Sequence, residues 1–95
     1  MNKYESMFIL KPDLSEEEKK TLLGQITDAV VKRQGTVLQA SVWADRKKLF
    51  FPLKRYMEGV YYLMNFSASP SSISEIRQAY RLNESILRVL ITRVD

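Results

Sequence analysis

Read from the N-terminus, the spacing of apolar residues passes from strand-like to helix-like and back, and then does so again. Residues 3–11 come first. Tyr4, Phe8 and Leu10 share one face with Ser6, and Met7 and Ile9 share the other. This predicts a strand with apolar groups on both sides, ended by Pro12-Asp13. Ser15 and Glu18 are spaced as a capping box, in which the Ser oxygen accepts the N3 amide and the Glu reaches back. Glu16, Glu17 and Glu18 also oppose the positive end of a helix dipole. Leu22, Leu23, Ile26, Ala29 and Val30 follow at helical spacing, so a helix is predicted over 16–34 with Gly35 as its stop. Gly24 inside that helix costs about 1 kcal/mol relative to Ala, which close helix packing would explain.

The second half repeats the alternation. Residues 36–44 have strand composition, and the strand resumes through Leu49-Phe50-Phe51-Pro52-Leu53 after an irregularity near Ala44-Asp45. Pro52 has no N–H for a ladder bond, so this strand belongs at a sheet edge. Tyr56-Met57-Glu58-Gly59 reads as a loop, and residues 60–67 as the most apolar strand, the second arm of a hairpin. Ser69-Pro70-Ser71-Ser72 opens a second helix, with Pro suited to the first turn and Ser72 and Glu75 spaced as another capping box. Ile73, Ile76 and Tyr80 mark its buried stripe, and Asn83 its stop. Residues 86–93 alternate again.

Strand, helix, strand, strand, helix, strand is the order of the ferredoxin-like βαββαβ sandwich. The fold class is therefore α+β, a four-stranded antiparallel sheet with two helices on one face, with residues 1–95 as a single domain. Right-handed crossovers make strands one and three central and strand two an edge, in agreement with Pro52. A chain of 95 residues holds one thin core. It has neither Cys nor His, so thiolate chemistry, imidazole catalysis and Cys/His metal sites are out of reach. Nothing approaches a membrane span, and Met1-Asn2-Lys3-Tyr4-Glu5 lacks a signal-peptide core. The expectation is a cytoplasmic protein with no cofactor and no membrane partner.

The net charge of +4 is unevenly spread. Residues 1–35 are neutral in sum, whereas Arg46, Lys47, Lys48, Lys54 and Arg55 crowd into ten positions. Such a block suits a polyanion; a solvated hairpin would carry the same charges. The sheet face away from the helices should be polar if it meets water. Yet Met7 and Ile9 lie there, beside either Val60/Tyr62/Met64/Phe66 or Tyr61/Leu63. A contiguous apolar face suggests an interaction surface, and aromatic side chains beside cations suit unpaired RNA bases.

Catalysis finds little support. Acylphosphatases share the fold, but they need a glycine-rich anion loop after strand one, where this chain has Lys11-Pro12-Asp13-Leu14-Ser15. No nucleophile–base pair is visible, so an enzyme is not expected. The octapeptide of RNA-recognition motifs is matched only at Gly59, Tyr62 and Leu63.

Three runs resemble the bacterial ribosomal small-subunit protein six family. They are Tyr4-Glu5-Ser6-Met7-Phe8-Ile9-Leu10-Lys11-Pro12, Trp43-Ala44-Asp45-Arg46-Lys47-Lys48-Leu49-Phe50-Phe51-Pro52-Leu53, and Tyr80-Arg81-Leu82-Asn83-Glu84-Ser85-Ile86-Leu87-Arg88. Tyr62-Leu63-Met64-Asn65-Phe66 is similar to the family's third strand. The resemblance implies a component of the 30S subunit that pairs with small-subunit protein eighteen and binds the central domain of 16S ribosomal RNA, with no DNA partner. Ala44 stands where the family usually has Gly, which would strain a positive-φ turn. Phe50 stands where it usually has a small residue. The chain is expected to stop at Asp95, without the extended tail some members of that family carry.

The residues expected to meet RNA are Arg46, Lys47, Lys48, Lys54 and Arg55, with Arg81, Arg88, Lys3 and Tyr4 as further candidates. Those expected to meet the protein partner are Met7, Ile9, Tyr61, Leu63, Phe50 and Phe51, the two Phe residues being equally suited to a base. The alternative reading is a non-ribosomal ferredoxin-like protein-interaction or small-ligand module that dimerises through its open sheet face.

Overall fold

The computed structural model describes residues 1–94; Asp95 lies outside the described residues. The elements are β1 (Asn2–Leu10), α1 (Glu16–Val31), β2 (Thr36–Leu53), β3 (Tyr56–Ala68), a 3-10 turn at Pro70–Ser72, α2 (Ile73–Arg81) and β4 (Ile86–Arg93). The sheet is antiparallel with order β2-β3-β1-β4. As the crossover rule required, β1 and β3 are central, and Pro52 sits on an edge strand.

The core lies between the sheet and the helices. Tyr4, Ser6, Phe8 and Leu10 of β1 are buried, and so are Val60, Tyr62, Met64, Phe66 and Ala68 of β3. Leu22, Ile26, Ala29 and Val30 of α1 and Ile73, Ile76 and Tyr80 of α2 close over them. Phe8 meets Tyr80 edge-on at 4.9 Å, and Tyr4 stacks on Phe66 at 5.5 Å, geometries that add to area burial. The Tyr80 hydroxyl donates to the Ile26 carbonyl across 2.7 Å, tying α2 to α1. Burial pushes its phenol far above the ordinary range, with Tyr62 adding to the rise and Arg33 opposing it. Ser6, buried among apolar groups, donates to the Met64 carbonyl at 2.9 Å, so its hydroxyl carries no desolvation penalty unmet.

Several local features, mostly starts and stops, differ from expectation. The Ser15–Glu18 box is formed in both directions, but α1 ends at Val31 rather than 34. The Gly35 amide donates to the Val30 carbonyl and the Gln34 amide to the Val31 carbonyl, both at 3.0 Å, the pair of bonds of a Schellman ending. Gln34, not Gly35, takes the left-handed position (φ 64°). Gly35 is needed for room: a Cβ there would lie 2.6 Å from Val30 Cγ1 and 2.8 Å from the Ser67 carbonyl oxygen. Gly24 has open space around it, so helix packing does not account for it. Ser72 makes no capping hydrogen bond, because the 3-10 turn after Ser69 places it in helical φ/ψ. Finally, residues 56–59 are strand rather than loop; the turn is only Lys54-Arg55, with Leu53 paired to Tyr56.

Candidate nucleic-acid and partner interface

β1 and β3 pair from Asn2↔Ala68 to Leu10↔Val60 without a slip. β2 behaves otherwise. Its 18 residues pair along β3 only from Tyr56 to Ser67, with shifts between Val37 and Gln39, Val42 and Ala44, Ala44 and Lys47, and Lys48 and Leu53. Each surplus residue bends the strand and re-aims its side chain. Leu38, Trp43, Phe50 and Phe51 all fall inside these shifts, and all are exposed, Phe50 fully. The hairpin also outruns β1, whose last partner on β3 is Val60.

The register settles which residues face away from the helices. Met7, Ile9, Tyr61 and Leu63 lie on the open face, the second of the two alternating sets allowed by the sequence. Leu90 of β4 pairs with Met7 on the same face and is exposed. Asn65 lies there too, and its Oδ1 is buried without a hydrogen-bond partner, a cost a docking donor would remove. A groove of about 270 Å³ is lined by Ile9, Leu49, Phe50, Phe51, Tyr61 and Arg88, among others. Four residues expected to meet a protein partner are thus gathered beside one expected to meet RNA.

Lys47 stands over this face. Its Nζ is 4.6 Å from the Trp43 ring centre and 5.4 Å from that of Tyr61, and the two rings are 5.7 Å apart. The cation is held by ring faces, and no acid among the described residues pairs with it. Arg46 has φ 55° and its guanidinium is 3.4 Å from Glu58 Oε2. The left-handed residue of this irregularity is therefore Arg46, whereas Ala44 keeps a negative φ and carries no such strain. Lys48 faces solvent opposite Glu58. Lys54 and Arg55 form the hairpin turn with φ 47° and 74°. Positive φ at both central residues is the geometry of a type I′ turn, which favours Asn-Gly.

The remaining expected residues are scattered. Lys3 is exposed, near the start of β1, and Arg88 is exposed on the open face beside Ile9. Arg81 is exposed at the end of α2, in the helix layer, apart from the hairpin cations. Tyr4 is a correction: its side chain points into the core against Phe66 and offers RNA no ring. Its parity with Phe8 carried that information. Trp43 and Leu90 were missed. Leu90 shares parity with Arg88, but Trp43 reaches the open face only through a bulge, which no alternation rule places.

The loop after β1 borders a cavity of about 210 Å³ lined by Lys11, Lys19 and Arg46 but also by Glu16 and Asp45. Its mixed charges and lack of glycine make no anion cradle.

Comparison with known proteins is consistent along the chain. The family described as Ribosomal protein S6 matches residues 3–93. Small ribosomal subunit protein bS6 of Caldanaerobacter subterraneus subsp. tengcongensis is 41% identical over 95 residues, covering 100% of this chain and 99% of that protein. The bS6 protein of Helicobacter acinonychis is 39% identical, covering 100% of this chain and 66% of that protein. The crystal structure of 30S ribosomal protein S6 from Thermotoga maritima has a TM-score of 0.89 at 26% identity, covering 98% of this chain and 87% of that one.

Proposed function

The chain belongs to the ribosomal protein S6 family, a non-enzymatic component of the small ribosomal subunit in the cytoplasm, and from that premise we propose that it binds the central domain of 16S ribosomal RNA together with small-subunit protein eighteen. The family membership removes the non-ribosomal dimerising module from consideration.

In this reading the two surfaces divide the work. The cations of 46–55 meet phosphates and fix the register of the protein on RNA, assisted by Lys3 and Arg88; Arg81 would need a second RNA segment on the helix side. Met7, Ile9, Tyr61 and Leu63, with Trp43 and Leu90 at their margins, receive the partner protein, and a donor from it satisfies Asn65. The observation that carries the reading is charge without compensation. Of the five hairpin cations, only Arg46 has an ion-pair partner among the described residues, and they stand beside an apolar sheet face. Cations left in solvent contribute little to stability but release counterions when they meet phosphate.

The experiment is RNA binding to a central-domain 16S fragment, with and without small-subunit protein eighteen, across a salt series. The reading predicts binding that appears with both proteins and falls steeply with salt. No binding of the pair at low salt would contradict it.

A further inference from the structure

We propose that the tip of the β2–β3 hairpin is a recognition point for one unpaired RNA nucleotide, with Phe50 stacking on its base and Lys54 and Arg55 holding the phosphates on either side. The proposal deepens the ribosomal reading and rests on it.

Three independent observations meet here. The first is Phe50. It is fully exposed, at 102% of the reference area, so its ring supports no part of the core. It lies in the largest slip of the sheet, where 49–52 on β2 are set against Met57 alone on β3. A slip of that size turns a side chain outward, and Phe51, 78% exposed and lining the same groove, extends Phe50 into an uncovered apolar patch of the kind that marks an interaction site.

The second is the turn. Lys54 and Arg55 both hold left-handed φ, a conformation that is strained for a residue with a side chain. Asn-Gly would form this turn with less strain. Two cations at the outermost point of the hairpin are thus kept against local preference, and no ion pair holds either among the described residues.

The third is composition. From Arg46 to Arg55 there are five cations, two Phe and no acid. That favours a polyanion with accessible aromatic faces over a protein surface. Within a nucleic acid it favours an unpaired nucleotide, because a base inside a helix has no free face for a side chain.

The test uses the full chain with small-subunit protein eighteen and the central-domain fragment. Unfolding of each variant is measured first, and Phe50→Ala should unfold as the unmodified protein does. Phe50→Ala should weaken RNA binding about tenfold or more, in line with loss of one stacked base, while leaving the salt slope unchanged. Phe50→Trp should retain binding. Lys54→Gln with Arg55→Gln should instead flatten the slope, by about 0.7–0.9 for each phosphate no longer neutralised. If the unmodified pair binds RNA and Phe50→Ala binds equally well, the proposal fails while the ribosomal reading stands. If Phe50→Ala weakens association with the protein partner in the absence of RNA, the ring belongs to that interface and the proposal is overturned. If the unmodified pair binds no RNA, both fall together.

Discussion

β3 has two neighbours in the sheet and treats them differently. Toward β1 it pairs residue for residue, and every second side chain enters the core. Toward β2 it pairs with four slips, and the surplus residues carry the large exposed apolar groups. A period-two strand buried on one face cannot slip without turning its core residues outward. β2 contributes only Leu49 to the buried residues, and none to the central cluster, so it is free to slip. Its bulges also spoil the edge for pairing with a further strand. The centre of the sheet thus holds the fold, and the edge hairpin is available for recognition.

That division is tested most severely at the centre. Phe8 is wholly buried against Tyr80 and Tyr62, so Phe8→Ala should cost about 3–5 kcal/mol. That is a large part of what a domain of this size possesses, and a strong fall in the urea midpoint should accompany loss of RNA binding. A mild effect would mean the core is not where β1 meets β3. Next in size is Tyr80→Phe, which removes the bond to the Ile26 carbonyl and should cost about 1 kcal/mol in equilibrium unfolding with RNA affinity intact. Gly24→Ala sharpens the contrast from the other side. With nothing near the new methyl group, it should stabilise α1 by up to about 1 kcal/mol.

The smallest effect is at the helix start. The Ser15 amide, and then its hydroxyl, holds the Glu18 carboxyl below its ordinary value of 4.5. A group whose pKa is lowered by folding stabilises the fold above its unfolded pKa, and that contribution is lost as pH falls through the folded value. Glu18→Gln should therefore narrow the stability difference between neutral and acidic solution, as read by unfolding at a series of pH values.

Much of this was legible in the residues, and the parts that were not share a cause. The order of elements, the edge position of β2 and the Ser15–Glu18 box follow from local pattern and crossover geometry. Alternation on β3 offers two sets, and the unslipped pairing with β1 puts Tyr61 and Leu63 on the open face. Alternation fails wherever an extra residue enters, so Trp43 could not be assigned to a face and the strand after Ala44 could not be followed. The left-handed residues escaped for a related reason. Gln34, Arg46, Lys54 and Arg55 take φ values that glycine would be expected to fill, and the glycines themselves lie elsewhere: Gly35 and Gly59 are where a Cβ would strike a neighbour. Capping of α2 was misread because the same Ser-Pro-Ser-Ser run can open a 3-10 turn.

The most direct measurement is the paired stability and RNA affinity of one variant, Lys54→Asn with Arg55→Gly, in complex with small-subunit protein eighteen. The turn becomes the one its backbone prefers. The account predicts a domain more stable by about 1 kcal/mol or more that binds the central-domain fragment more weakly, with a flatter salt slope. A variant that is no more stable, or that is more stable and binds RNA undiminished, would contradict the claim that this edge is shaped for recognition rather than for the fold.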